Sequence, residues 1–140
     1  MKVKIVYWSG TGNTEAMAQA VYAGAISGGA EADLIPVSIA DKSVLDADVI
    51  IFGCPAMGAE QLEEGEFEPF FEGVECKLSG KKIGLFGSYD WGDGGWMRTW
   101  QARAEEDGAV MIQDGVIANN APDEMALIEC KALGEAAAKA

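Results

Sequence analysis

A short apolar run that leads into a glycine-rich loop constrains the fold of this chain more than any other feature. The run spans residues 3–8, and the helix-forming residues 15–21 come directly after the loop. The loop consists of Ser9, Gly10, Thr11, Gly12, Asn13 and Thr14. An apolar run followed by Gly, Ser, Thr and Asn and then by a helical pattern predicts a strand, a tight loop and the N-terminus of a helix.

The composition of this loop suits it to bind an anion. Successive backbone N–H groups can converge at the positive end of the helix dipole, and Gly10 and Gly12 let the backbone approach a ligand closely. The hydroxyl and amide side chains of the loop add further hydrogen-bond donors. Because the loop contains neither Lys nor Arg, neutral dipoles would hold any phosphate that binds there.

Two well-known phosphate-binding motifs do not match the loop. A nucleoside-triphosphate loop has Lys and then Ser or Thr after its second glycine, where this chain has Asn13 and Thr14. A dinucleotide fingerprint has a third small residue three places after that glycine, and this chain has Glu15 there. Two interpretations remain at this point, a loop that binds a monophosphate and a plain structural turn.

Composition and charge narrow the class of protein. With 140 residues, of which 49% are hydrophobic, we expect one globular domain over residues 1–140. The chain has no His, and Cys54, Cys76 and Cys130 form no C-x-x-C pair, so we expect no metal site and redox chemistry only from a bound organic cofactor. The net charge of −13 disfavours nucleic acid and anionic membranes and favours positively charged protein partners. No apolar run approaches the ~20 residues of a membrane helix and no leader pattern follows Met1, so we expect a cytoplasmic protein.

Strand-like and helix-like patterns alternate along the chain. The predicted strands cover residues 3–8, 30–37, 49–54, 81–87 and a broken last strand at 109–112 with 116–117. The predicted helices begin at residue 15, near Pro69, at Trp96 and near Asp123, with a brief polar turn at 43–46. The unbroken apolar run at 49–54 is typical of a strand buried on both faces of a parallel sheet. Pro36 favours an edge position for the second strand.

This alternation predicts an α/β fold with a doubly wound parallel sheet. Right-handed crossovers leave few possible strand orders, and we expect five strands in the order 2-1-3-4-5 with helices on both faces. The loops after strands one, three and four then meet at the carboxyl edge of the sheet, where such sheets bind ligands.

These three loops resemble the ligand loops of flavodoxins, especially of the short-chain clostridial type. The matching segments are residues 6–15 (VYWSGTGNTE), 53–58 (GCPAMG) and 84–89 (GLFGSY) with Trp91 and Gly92. The likeness covers nearly the whole chain, in order and at the spacing of the family. It implies the flavodoxin-like fold and non-covalently bound FMN.

The resemblance also implies roles for individual residues. Residues 9–14 would hold the FMN phosphate, with Ser88 as a further donor. Met57 and Trp91 would enclose the isoalloxazine ring, and the Glu60 carboxylate would accept a hydrogen bond from the flavin N3–H; an aromatic face, a thioether and a charged acceptor suit these tasks. The other positions that the resemblance places at the cofactor are Pro55, Ala56, Gly58, Ala59, Tyr89, Asp90, Gly92 and Trp96.

Several of these positions have a simpler structural interpretation. Met57 can fill the core and Trp91 can plug a loop, while Trp96 and Trp100, four residues apart, fit the buried face of a helix. Trp8 is expected to pack near the ribityl chain or the strand end. Asn119 and Asn120 could lie at the edge of the site, but we do not count them among the cofactor-binding residues. Two positions depart from the family pattern: position 90, commonly Gly, is Asp, and position 59, often Asp, Ser or Gly, is Ala.

The function implied by the resemblance is one-electron transfer, and we do not expect an enzyme with its own substrate. A flavodoxin cycles its FMN between semiquinone and hydroquinone at low potential and substitutes for ferredoxin. A small FMN-dependent NAD(P)H:acceptor reductase is the main alternative. A response-regulator-like binding module would want an acidic residue at position 54, where this chain has Cys. An apo structural protein is a further alternative.

The resemblance and the negative charge together indicate the partners. Reductases, oxidoreductases and hydrogenase-type acceptors would dock near the flavin, and the acidic residues at 60–75 would face them. The same acidic run also fits a plain solvated helix face. We expect a monomer that binds neither nucleic acid nor membranes.

Overall fold

In the computed structural model, which describes residues 1–58 and 60–140, strands alternate with helices along the chain. The strands are β1 (Lys2–Tyr7), β2 (Glu31–Pro36), β3 (Val49–Gly53), β4 (Lys82–Tyr89), β5 (Val110–Met111) and β6 (Val116–Asn119). The helices are α1 (Asn13–Ser27), α2 (Phe67–Glu75), α3 (Gly95–Glu106) and α4 (Glu124–Ala138), and two 3-10 turns, Val37–Ile39 and Lys42–Asp46, follow β2. None of the helices in the described ranges is long and apolar enough to cross a membrane.

The strands form one parallel sheet in the order β2-β1-β3-β4-β5, which confirms the predicted topology. The broken last strand consists of two short strands, β5 and β6, which pair with different parts of β4. β5 pairs with Lys82 and Ile83 at the start of β4, and β6 pairs with residues 86–89 at its end. Because β6 continues the ladder, β4 runs to Tyr89, two residues beyond its predicted end.

β3 lies in the middle of the sheet and all five of its residues are buried. Alternate side chains point to opposite faces of a strand, so Val49 and Ile51 enter one core while Ile50 and Phe52 enter the other. This is why the strand reads as an unbroken apolar run.

The helices cover both faces of the sheet. α1 and α4 share one core with β1 and β3, and α2 and α3 share the other. Trp96 and Trp100 are both buried on α3, as their spacing predicts. Pro36 ends the edge strand β2, and the Asp123 carboxylate caps α4 by accepting a hydrogen bond from the N–H of Ala126 at 2.8 Å.

α1 and α4 approach so closely that their backbones touch through glycines. A Cβ placed on Gly134 of α4 would overlap the carbonyl oxygen of Val21 and lie 2.6 Å from the N atom of Ala25. A Cβ on Gly24 of α1 would lie 2.8 Å from the carbonyl carbon of Lys131. This contact between backbones fixes the position of α1, and therefore of the loop at its N-terminus.

On the other face, an arginine joins α2 to α3. The guanidinium of Arg103 donates to both carboxylate oxygens of Glu68 at 2.7 and 2.8 Å and to both of Glu75 at 2.9 and 2.7 Å. It also lies 4.9 Å from the centre of the Phe71 ring. The hydrogen bonds that Arg103 donates to Glu68, and then those to Glu75, raise the pKa of Arg103, and the bonds to Glu75 lower the pKa of that carboxyl group. Bidentate pairing on two sides sets the spacing of the two helices that follow the second and third ligand loops.

Candidate functional site at the carboxyl edge of the sheet

Hydrogen bonds hold the three predicted ligand loops together where the strands end. The N–H of Trp8, directly after β1, donates to the carbonyl of Gly53 at 3.0 Å. The N–H of Cys54 donates to the carbonyl of Phe86 at 3.1 Å, and that of Ala56 to the carbonyl of Ser88 at 2.9 Å. The loops therefore leave the sheet side by side, as the predicted strand order requires.

The first loop presents the N-terminus of α1. Gly12 is the N-cap residue, with φ of 94° and no side-chain capping bond. The hydroxyl oxygen of Ser9 accepts from the N–H groups of Gly12 at 3.1 Å and Glu15 at 3.2 Å. First-turn N–H groups have no partner within a helix, so those that Ser9 does not satisfy, at Asn13 and Thr14, suit an anion.

Beneath this loop, a pair of buried hydroxyl groups joins the first loop to the end of β4. Thr14 is only 1% exposed, and its Oγ1 lies 2.9 Å from the Oγ of Ser88. The N–H of Ser88 also lies 3.4 Å from Thr14 Oγ1. Either hydroxyl can be the donor, so one hydrogen atom of the pair is free to point elsewhere.

A cavity of about 370 Å³ opens between the loops. The residues that line it come from all three loops, and they are Trp8, Ser9, Gly10, Thr11, Thr14, Pro55, Ala56, Met57, Ser88, Tyr89 and Asp90. None of them is Lys or Arg, so the cavity offers neutral donors to a phosphate. Its size and mixed lining are those of a small-molecule site.

The second loop is a closed turn. Met57 and Gln61 exchange backbone hydrogen bonds of 2.8 and 3.1 Å, with Gly58 at a φ of 38° and Glu60 at 55° between them. One oxygen of the Glu60 carboxylate, Oε1, is buried and has no hydrogen-bond partner among the described residues. Ala59, which the resemblance places at the cofactor, lies outside the described residues.

The third loop combines an exposed indole with two glycines in the left-handed region. Trp91 is 70% exposed, and Gly92 and Gly94 have φ of 93° and 84°. The side-chain amide of Asn119, at the end of β6, donates to the carbonyls of Tyr89 and Asp90, each at 3.3 Å. Asn119 therefore supports the loop from the next strand, a role that only the β4–β6 pairing reveals.

Two tryptophans occupy places that the sequence did not settle. Trp96 is only 2% exposed, and its indole N–H donates to the carbonyl of Cys54 at 3.3 Å, below the cavity. Contact between Trp96 and a cofactor stays a prediction. The hydrogen bond to Cys54 indicates that Trp96 supports the start of the second loop. Trp8 lines the cavity, packs against Gly10 and donates to Glu66 at 3.3 Å.

Burial shifts the pKa values of two titratable groups near the cavity. Burial raises the pKa of the Cys54 thiol to about 12, so the thiolate that would act as a nucleophile is scarce at neutral pH. Burial, and then the Glu15 carboxylate, raise the pKa of Tyr7. Among the described residues there is no group of three or more His, Cys, Asp or Glu that could hold a metal ion.

Comparison with known proteins decides the family. The family model described as Flavodoxin matches residues 5–134. The chain belongs to the flavodoxin family. It is 53% identical to a flavodoxin from Megasphaera elsdenii, with 99% of each chain covered, and 51% identical to one from Clostridium beijerinckii, with 87% and 89% covered. The solution structure of two-electron reduced Megasphaera elsdenii flavodoxin superimposes with a TM-score of 0.90 at 52% identity, covering 99% of both chains.

Flavodoxins are small electron carriers that bind FMN, and the described residues fit that cofactor. The N–H groups at the start of α1 suit its phosphate, and the orphaned Glu60 oxygen suits an N–H group of its ring. The structure brings Ser9, Gly10, Thr11, Thr14, Pro55, Ala56, Met57, Ser88, Tyr89 and Asp90 together around the cavity. Gly12, Asn13, Gly58, Glu60, Trp91 and Gly92 lie on the same three loops but do not line it.

Proposed function

We propose that the protein carries single electrons at low potential between redox protein partners and can take the place of a ferredoxin. The observation that carries this proposal is the cavity between the three loops. The N-terminal donors of α1 lie at the first loop, and the carboxylate oxygen of Glu60 that has no partner among the described residues lies at the second. The relatives that match over most of both lengths are named flavodoxins, so the reductase alternative has no support.

In this proposal the three loops share the contacts with FMN. Residues 9–14 hold the phosphate with backbone N–H and hydroxyl groups, and Ser88 adds a donor. Met57 and Trp91 contact the two faces of the flavin ring, and Glu60 accepts a hydrogen bond from a ring N–H. The bound FMN supplies the one-electron chemistry, while the protein sets its potential and excludes water.

Potentiometric titration of the FMN-loaded protein tests the proposal. We expect FMN to bind at one per chain and to be reduced in two well-separated one-electron steps. A single two-electron step, or rapid oxidation of NADPH by the purified protein, would contradict the electron-carrier function.

Asp90 is expected to lower the second of these two potentials. Asp90 lines the cavity, and the second electron adds negative charge to the flavin ring. A carboxylate about 8 Å from a unit charge opposes it by about 0.5 kcal/mol in water and about 2 kcal/mol at an effective dielectric constant near 20. Asp90→Asn should therefore raise the second midpoint potential by roughly 20 to 90 mV and leave the first nearly unchanged.

A matched substitution separates this local effect from a change in net charge. Asp46 is exposed and lies just before β3, at the amino edge of the sheet, so Asp46→Asn makes the same chemical change far from the cavity. Asp46→Asn should leave both potentials where they are. Equal shifts in the two variants would show that the Asp90 side chain does not act on the ring locally.

The acidic residues at 60–75, here called the acidic segment, are the proposed docking surface for positively charged partners. Some of their carboxylates are already held by hydrogen bonds within the protein. The Glu63 carboxylate accepts from the N–H groups of residues 65, 66 and 67 at 2.6, 2.8 and 2.9 Å. Although burial pushes the pKa of Glu63 up, these donors hold it below its usual value. Because Glu68 and Glu75 hold Arg103, the exposed residues Glu64 and Glu72 are the better docking candidates.

We expect charge reversal at Glu64 and Glu72 to slow electron transfer to a basic acceptor. In stopped-flow experiments at low salt, the reduced Glu64→Lys/Glu72→Lys variant should reduce cytochrome c several-fold more slowly than the unsubstituted protein. At high salt the difference should vanish, because exposed charges are screened beyond about 8 Å even at physiological ionic strength.

The control reverses charge elsewhere on the surface. Glu31 is exposed at the start of β2, at the opposite edge of the sheet, and Glu31→Lys changes the net charge in the same direction. The control reverses one charge and the docking variant reverses two. If Glu31→Lys slows the reaction as much per reversed charge, net charge and not the acidic segment governs docking.

We include a cytoplasmic location in the proposal. All three cysteines are free, which fits a reducing compartment.

A further inference from the structure

The Glu60 carboxylate lies against the third loop, in a space that two glycines leave open. A Cβ placed on Gly92 would overlap Glu60 Oε1 and lie 3.0 Å from its Cδ. A Cβ placed on Gly95, the first residue of α3, would lie 3.0 Å from Glu60 Oε2. This carboxylate therefore brings the tip of the second loop against the third loop.

The same carboxylate oxygen lacks a partner within the protein. Glu60 Oε1 is buried and accepts no hydrogen bond from the described residues. A buried carboxylate oxygen without a donor is unfavourable, so its position is best explained by a hydrogen bond to a bound ligand. Any group that pushes this oxygen away from its present place would remove that acceptor from the ligand.

Backbone conformation alone does not distinguish Gly92 from its neighbour. Gly92 and Gly94 have φ of 93° and 84°, so Ala would be strained by a similar amount at either position. Their surroundings differ, because a Cβ on Gly94 would meet only the flexible end of Ile117, at 3.0 Å. Of these two positions, it is Gly92 where a side chain would compete with Glu60 for the same space.

We propose that Gly92 is a positioning residue for FMN, because the absence of its side chain leaves room for the Glu60 carboxylate that accepts from the flavin ring. This inference rests on the proposed function. Since the carboxylate is the flexible end of a side chain, an Ala at position 92 displaces it without moving the backbone of the second loop. The substitution should therefore reduce affinity for FMN more than it reduces stability.

The experiment compares Gly92→Ala with Gly94→Ala. Dissociation constants of FMN and riboflavin are measured with the apoprotein by quenching of flavin fluorescence, and thermal unfolding is measured without ligand. We expect Gly92→Ala to weaken both flavins about 10- to 100-fold more than Gly94→Ala, the range for a hydrogen bond to a charged group. The unfolding midpoints of the two variants should be similar.

A second pair of variants tests whether the effect acts through Glu60. In a Glu60→Ala background the carboxylate is gone, so adding Gly92→Ala should cost no more affinity than adding Gly94→Ala. Equal losses in the original background, or a difference that persists without the carboxylate, would overturn the inference. An unsubstituted protein that binds no FMN would instead overturn the proposed function, so the two failures are distinguishable.

Discussion

Replacing Gly134 with Ala is expected to lower the free energy of unfolding by about 3 kcal/mol, the upper part of the range for overpacking a well-packed core. The added methyl group would overlap the carbonyl oxygen of Val21 and lie 3.0 Å from the carbonyl carbon of Gly24. Both atoms belong to the backbone of α1, so no side-chain rotation can relieve the clash. The two helices must move apart, which opens the core between them and the sheet. Denaturant unfolding followed by circular dichroism measures the effect.

Gly73 provides a control with the opposite expected sign. It lies in α2, and a Cβ placed on it meets nothing within 4 Å. Gly73→Ala should therefore raise the free energy of unfolding by about 0.5 to 1 kcal/mol, because Ala is the better helix former. A Gly134→Ala variant as stable as Gly73→Ala would mean that α1 and α4 do not meet as closely as described.

Replacing Thr14 with Val is expected to weaken FMN binding by about 10- to 100-fold, the range for a hydrogen bond to a charged group. Val keeps the branched shape of the side chain but removes the hydroxyl, which is buried at the first loop beside Ser88. Because riboflavin lacks the phosphate, its affinity should fall much less. Fluorescence titration with both ligands measures the difference.

Thr99 provides the matched substitution for Thr14. It is exposed on α3 and does not line the cavity, so Thr99→Val should bind both flavins as the unsubstituted protein does. If Thr14→Val weakened FMN and riboflavin equally, the hydroxyl would be supporting the loop without acting on the phosphate, and the assignment of the first loop would be wrong.

Local patterns in the sequence were enough to predict the frame of the fold. The apolar run at 49–54 predicted a central strand because burial on both faces leaves no place for a polar residue. Asp123 predicted the start of α4 because its carboxylate caps the first turn. The order of the strands followed from right-handed crossovers, and the order placed three loops at one edge.

Contacts between distant residues were beyond such patterns. Thr14 and Ser88 are 74 positions apart, and nothing near either residue indicates the other. The spacing of Trp96 and Trp100 predicted a buried helix face, but the hydrogen bond from Trp96 to the carbonyl of Cys54 joins residues that are 42 positions apart. The Glu63 carboxylate looks like any other acidic side chain of its segment, and only the path of the loop shows that it binds three backbone N–H groups.

The pairing of β6 with the end of β4 has a consequence for the time at which the protein becomes active. Asn119 supports the third loop from β6, so the cavity, whose lining residues fall within 8–90, depends on a strand that is made later in synthesis. A ribosome adds about 5 to 20 residues per second, and a nascent chain that stops before β6 has the phosphate loop but an unsupported third loop. Ligand that binds only the folded state also stabilises it. We therefore expect the chain to take up FMN only after the last strand has joined the sheet.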